Sequence, residues 1–251
     1  MTDASMAARF AESDFRVGKV INRSVAVLSR NVVPFFIVTF VAYLPLIVLE
    51  RAQAMAQASR DVAWILILSA VSFVLLMLLS MLAQAVILQA AFQDMRRQPV
   101  SLSESLKVGL RRILPVIGLA IVVGIVVVIG FVLLIFPGFM FYTMFFVALP
   151  VCVVERVGPF KSMGRSQELT KGYRWRIFGL LLLLLIMSGV ISGSVEFALL
   201  AFGGDIVALI GKLIVSALWA AFSSVVVSVT YHDLRVAKEG IDIEQIASVF
   251  D

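Results

Sequence analysis

Six long runs of almost uninterrupted apolar residues dominate the chain, at 32–49, 62–91, 113–136, 139–154, 177–200 and 206–231, and together they fill more than half of its 251 residues. About 20 apolar residues in helical form cover the hydrocarbon layer of a bilayer, whereas a strand or loop there would leave backbone N–H and C=O groups without partners. These runs therefore predict an all-α polytopic membrane bundle of about six transmembrane helices. Composition leaves little room for another fold: 61% of the residues are apolar, 15% are charged and the mean hydropathy is +1.06. Too few polar side chains remain to coat a water-soluble domain.

Two runs are irregular. Residues 62–91 exceed a perpendicular crossing and predict tilt or projection beyond the lipid. Residues 139–154 are few, follow a Phe136-Pro137-Gly138 turn and contain Pro150, so a helical hairpin dipping only partway across is the alternative to a full fourth span.

Sidedness follows from the basic residues. The N-terminal segment, the 92–112 and 155–176 connections and the C-terminal tail hold 18 of the 21 Lys and Arg, leaving Arg51, Arg60 and Lys212 for the opposite side. The positive-inside rule puts both termini in the cytoplasm, in agreement with an even number of spans. The chain reads as one integral inner-membrane domain, with a cytoplasmic interfacial segment over 1–31, a bundle over 32–231 and a cytoplasmic tail over 232–251.

The same counts exclude other functions. The net charge of +5 comes from residues beside apolar runs, so anionic headgroups rather than nucleic acid are the expected counter-charge. Cys152 and His232 are the single residues of their types, which rules out an internal disulfide, a multi-thiolate site or a His-rich metal centre. No cofactor is expected. Residues 1–30 are polar and mixed in charge, and the first apolar run starts after Asn31, unlike a cleavable signal peptide.

Three segments ahead of the odd-numbered spans have amphipathic helical spacing. In the first, Val17, Ile21, Ser24 or Val25, and Leu28 lie opposite Arg16, Lys19 and Arg23. In the second, Leu102, Leu106, Leu110 and Ile113 share a face behind a capping box of Ser101 with Glu104. In the third, Phe160, Met163, Gln167 and Thr170 oppose Lys161, Arg165 and Glu168. Each is expected to lie on the membrane with its basic face toward anionic headgroups.

The segments also align. Arg30, Arg111 and Arg174 each stand four residues before Pro34, Pro115 and Phe178. Spans two and six end in Phe92-Gln93-Asp94-Met95-Arg96 and Tyr231-His232-Asp233-Leu234-Arg235, and span four ends in Glu155-Arg156. These matches describe a three-fold internal repeat of interfacial helix, span, tight turn and span. The alternative is that any cytoplasmic boundary gathers arginines and aromatics. A carboxylate at a helix C-terminus faces the negative end of the helix dipole and needs a cation nearby. The repeat therefore predicts a structural ion ring in which Asp94, Glu155 and Asp233 meet Arg30, Arg111 and Arg174.

The stretch Phe136-Pro137-Gly138, Ala148-Leu149-Pro150, Glu155, Gly158-Pro159, Arg165-Ser166, Leu169-Thr170-Lys171-Gly172 and Trp175-Arg176-Ile177-Phe178 resembles the glycerophosphoryl diester phosphodiesterase membrane-domain family and related YciC-like six-span bacterial membrane proteins. The ending Tyr231-His232-Asp233-Leu234-Arg235, then Lys238-Glu239-Gly240, is similar to theirs, where a second aromatic commonly stands at the place of His232. The resemblance rests on motifs over roughly 130–250 and on hydropathy alone before that. It implies a helical inner-membrane protein, joined in some relatives to a phosphodiesterase. That enzyme needs a soluble barrel with several carboxylates and histidines around a metal. This chain has one His and no soluble stretch long enough, so no catalytic residue carries over and no enzyme is expected.

The remaining candidates are polar residues inside spans. Glu196, Asp205 and Lys212 sit at or within the last two runs, and Gln84 and Gln89 in the second. An intramembrane charge costs roughly 2.5–3.5 kcal/mol on the insertion scale. Lys212 is only about 10 Å deep and can snorkel or pair with Asp205 or Glu196, while the glutamines suit interhelical bonding. Together the five would line the polar path of a small transporter or channel. The stripe Ser188, Gly189, Ser192, Gly193 and Ser194 signals close helix approach, within the chain or in a homo-oligomer. The favoured reading is a non-enzymatic protein associated with membrane lipids, anionic at the cytoplasmic face, or with a membrane-protein partner. One water-accessible cavity shared by the five polar residues would favour transport instead.

Overall fold

The computed structural model describes residues 15–59, 61–202 and 205–239. Among them are ten helices and no strand: α1 (Val17–Arg30), α2 (Val32–Ser59), α3 (Val62–Met95), α4 (Leu102–Arg111), α5 (Ile113–Leu133), α6 (Ile135–Met144), α7 (Ala148–Val154), α8 (Pro159–Thr170), α9 (Arg174–Phe202) and α10 (Asp205–Glu239). Six stretches are long and apolar enough to cross a membrane, at Val32–Ala58, Val62–Met95, Ile113–Leu133, Phe136–Val154, Arg174–Val195 and Ile210–Glu239. They coincide with the six runs of the sequence.

The core is concentrated at one end of the bundle. On α3 the buried positions run from Ala83 to Gln93, and on α10 nearly every side chain from Ala221 to Leu234 is buried. The opposite halves expose Trp64, Leu66, Phe73, Val207 and Ile210, as expected of helices that meet lipid rather than water. The long α10 is the spine: it packs against α1, α2, α3, α7, α8 and α9.

Local chemistry sets the helix ends. Asp61 caps α3 by accepting from the amides of Ala63 and Trp64 at 3.0 and 3.2 Å. Ser101 caps α4 through the Glu104 amide at 3.4 Å, but the expected reciprocal bond is replaced. Gln93 accepts from the Ser101 amide at 2.9 Å, and its own amide group donates to the Glu104 carboxylate at 3.3 Å. The capping box has become a bridge from the end of α3 to the start of α4.

The fourth apolar run departs from the expected turn and span. The chain reverses at Leu134, which is extended, and Phe136-Pro137-Gly138 lies in the first turn of α6, where proline is tolerated. The run is then interrupted again at 145–147, between α6 and α7. A Cβ at Gly138 would lie 2.4 Å from the Phe131 ring, and one at Gly130 would lie 2.6 Å from the Phe141 ring and 3.0 Å from the Gly138 Cα. Glycine at both positions lets α5 and α6 close into a tight hairpin. Of the glycines spaced six apart on α5, Gly130 thus has a packing role, whereas a Cβ at Gly124 would meet nothing within 4 Å.

The tip of this hairpin abuts the start of α9. Phe136 and Trp175 have ring centroids 6.4 Å apart, and Phe139 and Phe178 are 5.6 Å apart with edge-to-face geometry. At the other end of α6, the Met144 carbonyl accepts from the Ser166 and Thr170 hydroxyls at 2.8 and 3.3 Å. The sequence put Phe136 and Trp175 on opposite surfaces; the fold puts them side by side. α6 runs beside the 155–176 connection and is not a single straight span.

The three short helices present small residues to the bundle. α1 buries Val20, Ser24 and Val27, α4 buries Ser105 and Gly109, and α8 buries Ser162, Ser166, Leu169 and Thr170. A Cβ at Gly109 would stand 3.1 Å from Val86, which shows how closely α4 lies on α3. Of the apolar residues expected on shared faces, Val25, Leu106, Leu110 and Phe160 are exposed, while Val17, Ile21 and Leu28 pack partly against the core.

Candidate functional site

The candidate site is the rim where α1, α4 and α8 meet the ends of α3, α7 and α10. Each of the three acids expected in the ion ring meets an arginine there, although only Asp94 meets one of the three arginines expected. Asp94 receives Arg30 Nη2 at 2.6 Å, Arg30 Nε at 3.4 Å and Asn31 Nδ2 at 2.7 Å. The hydrogen bond to Asp94 holds the Arg30 pKa above its ordinary value.

Asp233 is paired with Arg23 at 2.9 Å and with His232 Nδ1 at 3.2 Å. Arg23 and Arg30 are two helical turns apart, about 10 Å along one face of α1. One short helix therefore straps the ends of α3 and α10. Those ends lie side by side: Phe92 and Tyr231, equivalent in the matched motifs, pack edge to face with centroids 5.6 Å apart.

Glu155 is held by Arg165 Nε at 3.4 Å and by the Tyr231 hydroxyl, which donates to it at 2.8 Å. Arg165 also pairs with Glu168 and Glu239, and Arg235 donates to Glu239 at 2.8 Å. α8 thus straps the end of α7 to the end of α10, as α1 does for α3 and α10.

Arg111 and Arg174 pair with none of the three acids. Arg111 is exposed, and its neighbour Arg112 donates to the Arg156 carbonyl at 3.3 Å. Arg174 is displaced because unit three breaks differently. A single residue, Asn31 or Arg112, separates the short helix from the next in units one and two, whereas residues 171–173 intervene in unit three, with Gly172 at φ +89°. Only glycine adopts that conformation without strain. The short helix of unit three ends two residues earlier relative to the following helix, so Arg174 is the first residue of α9 and Arg165 is left to hold the acid.

Counting back from the helix start corrects the alignment. Ser24, Ser105 and Ser166 each stand eight residues before Val32, Ile113 and Arg174, and all three are fully buried. That serine register was present in the sequence and marks the bundle-facing side of each short helix better than the arginines do. The partners that sequence reasoning missed are Arg23, Asn31, Arg165 and Tyr231.

The described residues of the suggested polar path, Gln84, Gln89 and Lys212, do not converge. Gln84 borders an apolar cavity of about 490 Å³ lined mainly by α6, α9 and α10. Gln89 borders a separate polar cavity of about 480 Å³ with Gln93, Arg96, Glu104 and Arg156. Lys212 is exposed on α10, and the side chains of Glu196 and Asp205 lie outside the described ones. The small-residue stripe of α9 also departs from expectation: a Cβ at Gly189 or Gly193 would meet nothing within 4 Å, so among the described residues none closes on it there. Among the described residues no group of three or more His, Cys, Asp or Glu is arranged to hold a metal ion. Comparisons of the chain with protein-family models, with curated proteins and with solved structures find no match.

Proposed function

We propose that the chain is a non-enzymatic integral protein of a bacterial inner membrane whose basic cytoplasmic rim gathers anionic lipid. The observation that carries this reading is the outward face of the short helices. Leu106, Leu110 and Phe160 are exposed beside Lys107, Arg111 and Lys161, while the same helices turn serine and glycine inward. In water such apolar side chains are a liability. At a lipid boundary they are buried among acyl chains while the cations reach the headgroups, which is how an interfacial helix binds. Each Lys or Arg near an anionic surface contributes about 1 kcal/mol. The buried serines of the three short helices, in one register, support the three-fold repeat, and the motif resemblance to the glycerophosphoryl diester phosphodiesterase membrane-domain family supports the same class of protein.

The contact of Phe136 with Trp175 supports a fourth run that re-enters the membrane instead of crossing it. With α5 and the fourth run together returning to the side they entered from, four crossings by α2, α3, α9 and α10 keep both termini on one side, as six would. No observation favours the transporter reading, since Gln84 and Gln89 open into different cavities.

The test is lipid enrichment around the full chain in mixed bilayers, read by quenching from labelled phosphatidylglycerol or phosphatidylcholine. Phosphatidylglycerol should be enriched, and combining Lys19→Gln, Lys107→Gln and Lys161→Gln should remove most of that preference. Equal enrichment of the two lipids around the unaltered protein would overturn the proposal.

A further inference from the structure

Arg174, one of the two arginines left out of the ring, lies at the mouth of a groove with the shape of an amphiphile. Its Nε is buried and has no hydrogen-bond partner, an arrangement that a folded protein rarely leaves unsatisfied. The cavity it borders, about 370 Å³, also contains Lys171 and Thr143, with Phe136 and Trp175 as its exposed aromatic lips. Two cations and no carboxylate line it.

Phe139 and Phe178 belong to this cavity and also to the apolar cavity of about 490 Å³ that continues along α9 to Ser188. From Arg174 to Ser188 the helix rises about 21 Å. Half of a bilayer's hydrocarbon is about 15 Å. A charged mouth joined to an apolar channel one leaflet deep matches the length and polarity of a lipid.

The geometry points to a specific phospholipid site, with an anionic headgroup phosphate on Arg174 and Lys171 and one acyl chain in the groove between α6, α9 and α10. The site goes beyond the lipid-gathering rim: it holds one molecule in a defined pose and uses none of the residues of α1 or α4. It rests on the same reading of the protein as a membrane protein.

The experiment is native mass spectrometry of the full chain released from mild detergent, with phosphatidylglycerol, phosphatidylcholine or inorganic phosphate added. One phosphatidylglycerol should be retained per chain. Arg174→Gln with Lys171→Gln should weaken that binding about tenfold or more, the loss expected for charge-assisted hydrogen bonds. Leu181→Trp, which fills the groove and leaves the cations alone, should weaken long-chain lipid more than a short-chain analogue. The rim variant at Lys19, Lys107 and Lys161 should keep its retained lipid, which separates failure of this site from failure of the rim. Equal retention by unaltered protein and both groove variants would overturn the site. Displacement of the lipid by millimolar phosphate would also overturn it, in favour of a free-phosphate site.

Discussion

Removing the Arg30 guanidinium tests whether α1 acts as a strap. The Asp94 side chain is 13% exposed and stands in the last turn of α3, where the helix dipole disfavours negative charge. In Arg30→Gln that carboxylate keeps only the Asn31 amide as a donor. An exposed pair is worth about 0–1 kcal/mol and a fully buried acid stripped of its partner loses about 3–5. Arg30 is itself 57% exposed, so the loss should fall nearer the lower range, about 1–2 kcal/mol. Asp94→Asn removes the charge that needs a partner and should cost less. The double variant should recover part of the loss, with a coupling of about 0.5 kcal/mol or more.

The chain carries its own reporter for this measurement. Cys152 is the only cysteine and is fully buried, so labelling by a thiol dye on heating follows unfolding. At roughly 2–4 °C per kcal/mol for a chain of this size, Arg30→Gln should lower the midpoint by about 2–8 °C. The reasoning is refuted if Arg30→Gln melts like the unaltered protein, or if the two substitutions add without coupling.

Two further predictions concern the α5–α6 hairpin. Gly138→Ala should lower the labelling midpoint despite alanine's better helix propensity, because its Cβ would overlap the Phe131 ring by more than an ångström and overpacking costs about 1–3 kcal/mol. Gly124→Ala, with open space around it, should be neutral or stabilising, and equal effects at the two sites would contradict the close approach. In a Cys152→Ala background, cysteines placed singly at Phe136 and Trp175 should react with an impermeant thiol reagent from the same side of the membrane. Labelling from opposite sides would restore a straight fourth span.

How much of this could be read from the chain depends on what each signal measures. Apolar run length reports helices able to span, and it located all six stretches. It does not report direction, because a hairpin and a crossing bury the same residues in the same solvent. The sequence therefore leaves a hairpin dipping partway across as the alternative to a full fourth span, and Gly130 and Gly138, eight residues apart, are what let α5 and α6 close into it. The pairing of span-end acids with arginines was legible because the helix dipole demands it. The identities were not, since the alignment used arginines, whose long side chains reach partners a turn away in either direction. A buried serine cannot move in that way. Ser24, Ser105 and Ser166 keep one register to the following helix, in which Arg30 and Arg111 match Gly172 and Arg174 stands two residues beyond them.

The early end of the short helix in unit three links the rim to the groove. In units one and two the short helix passes into its long partner through one residue. In unit three, Gly172 turns the chain enough to free Arg174 from strap duty and set it over the α6 hairpin. Arg165 then carries the ion pairs with Glu155 and Glu239 that keep this corner closed. The division is physically sensible. A guanidinium saturated by carboxylates has no donor left for a lipid phosphate, whereas one moved half a turn beyond them keeps its donors and its charge. The straps tie the ends of α3, α7 and α10 together at the rim, while Phe139 and Phe178 line the apolar cavity that begins beside Arg174.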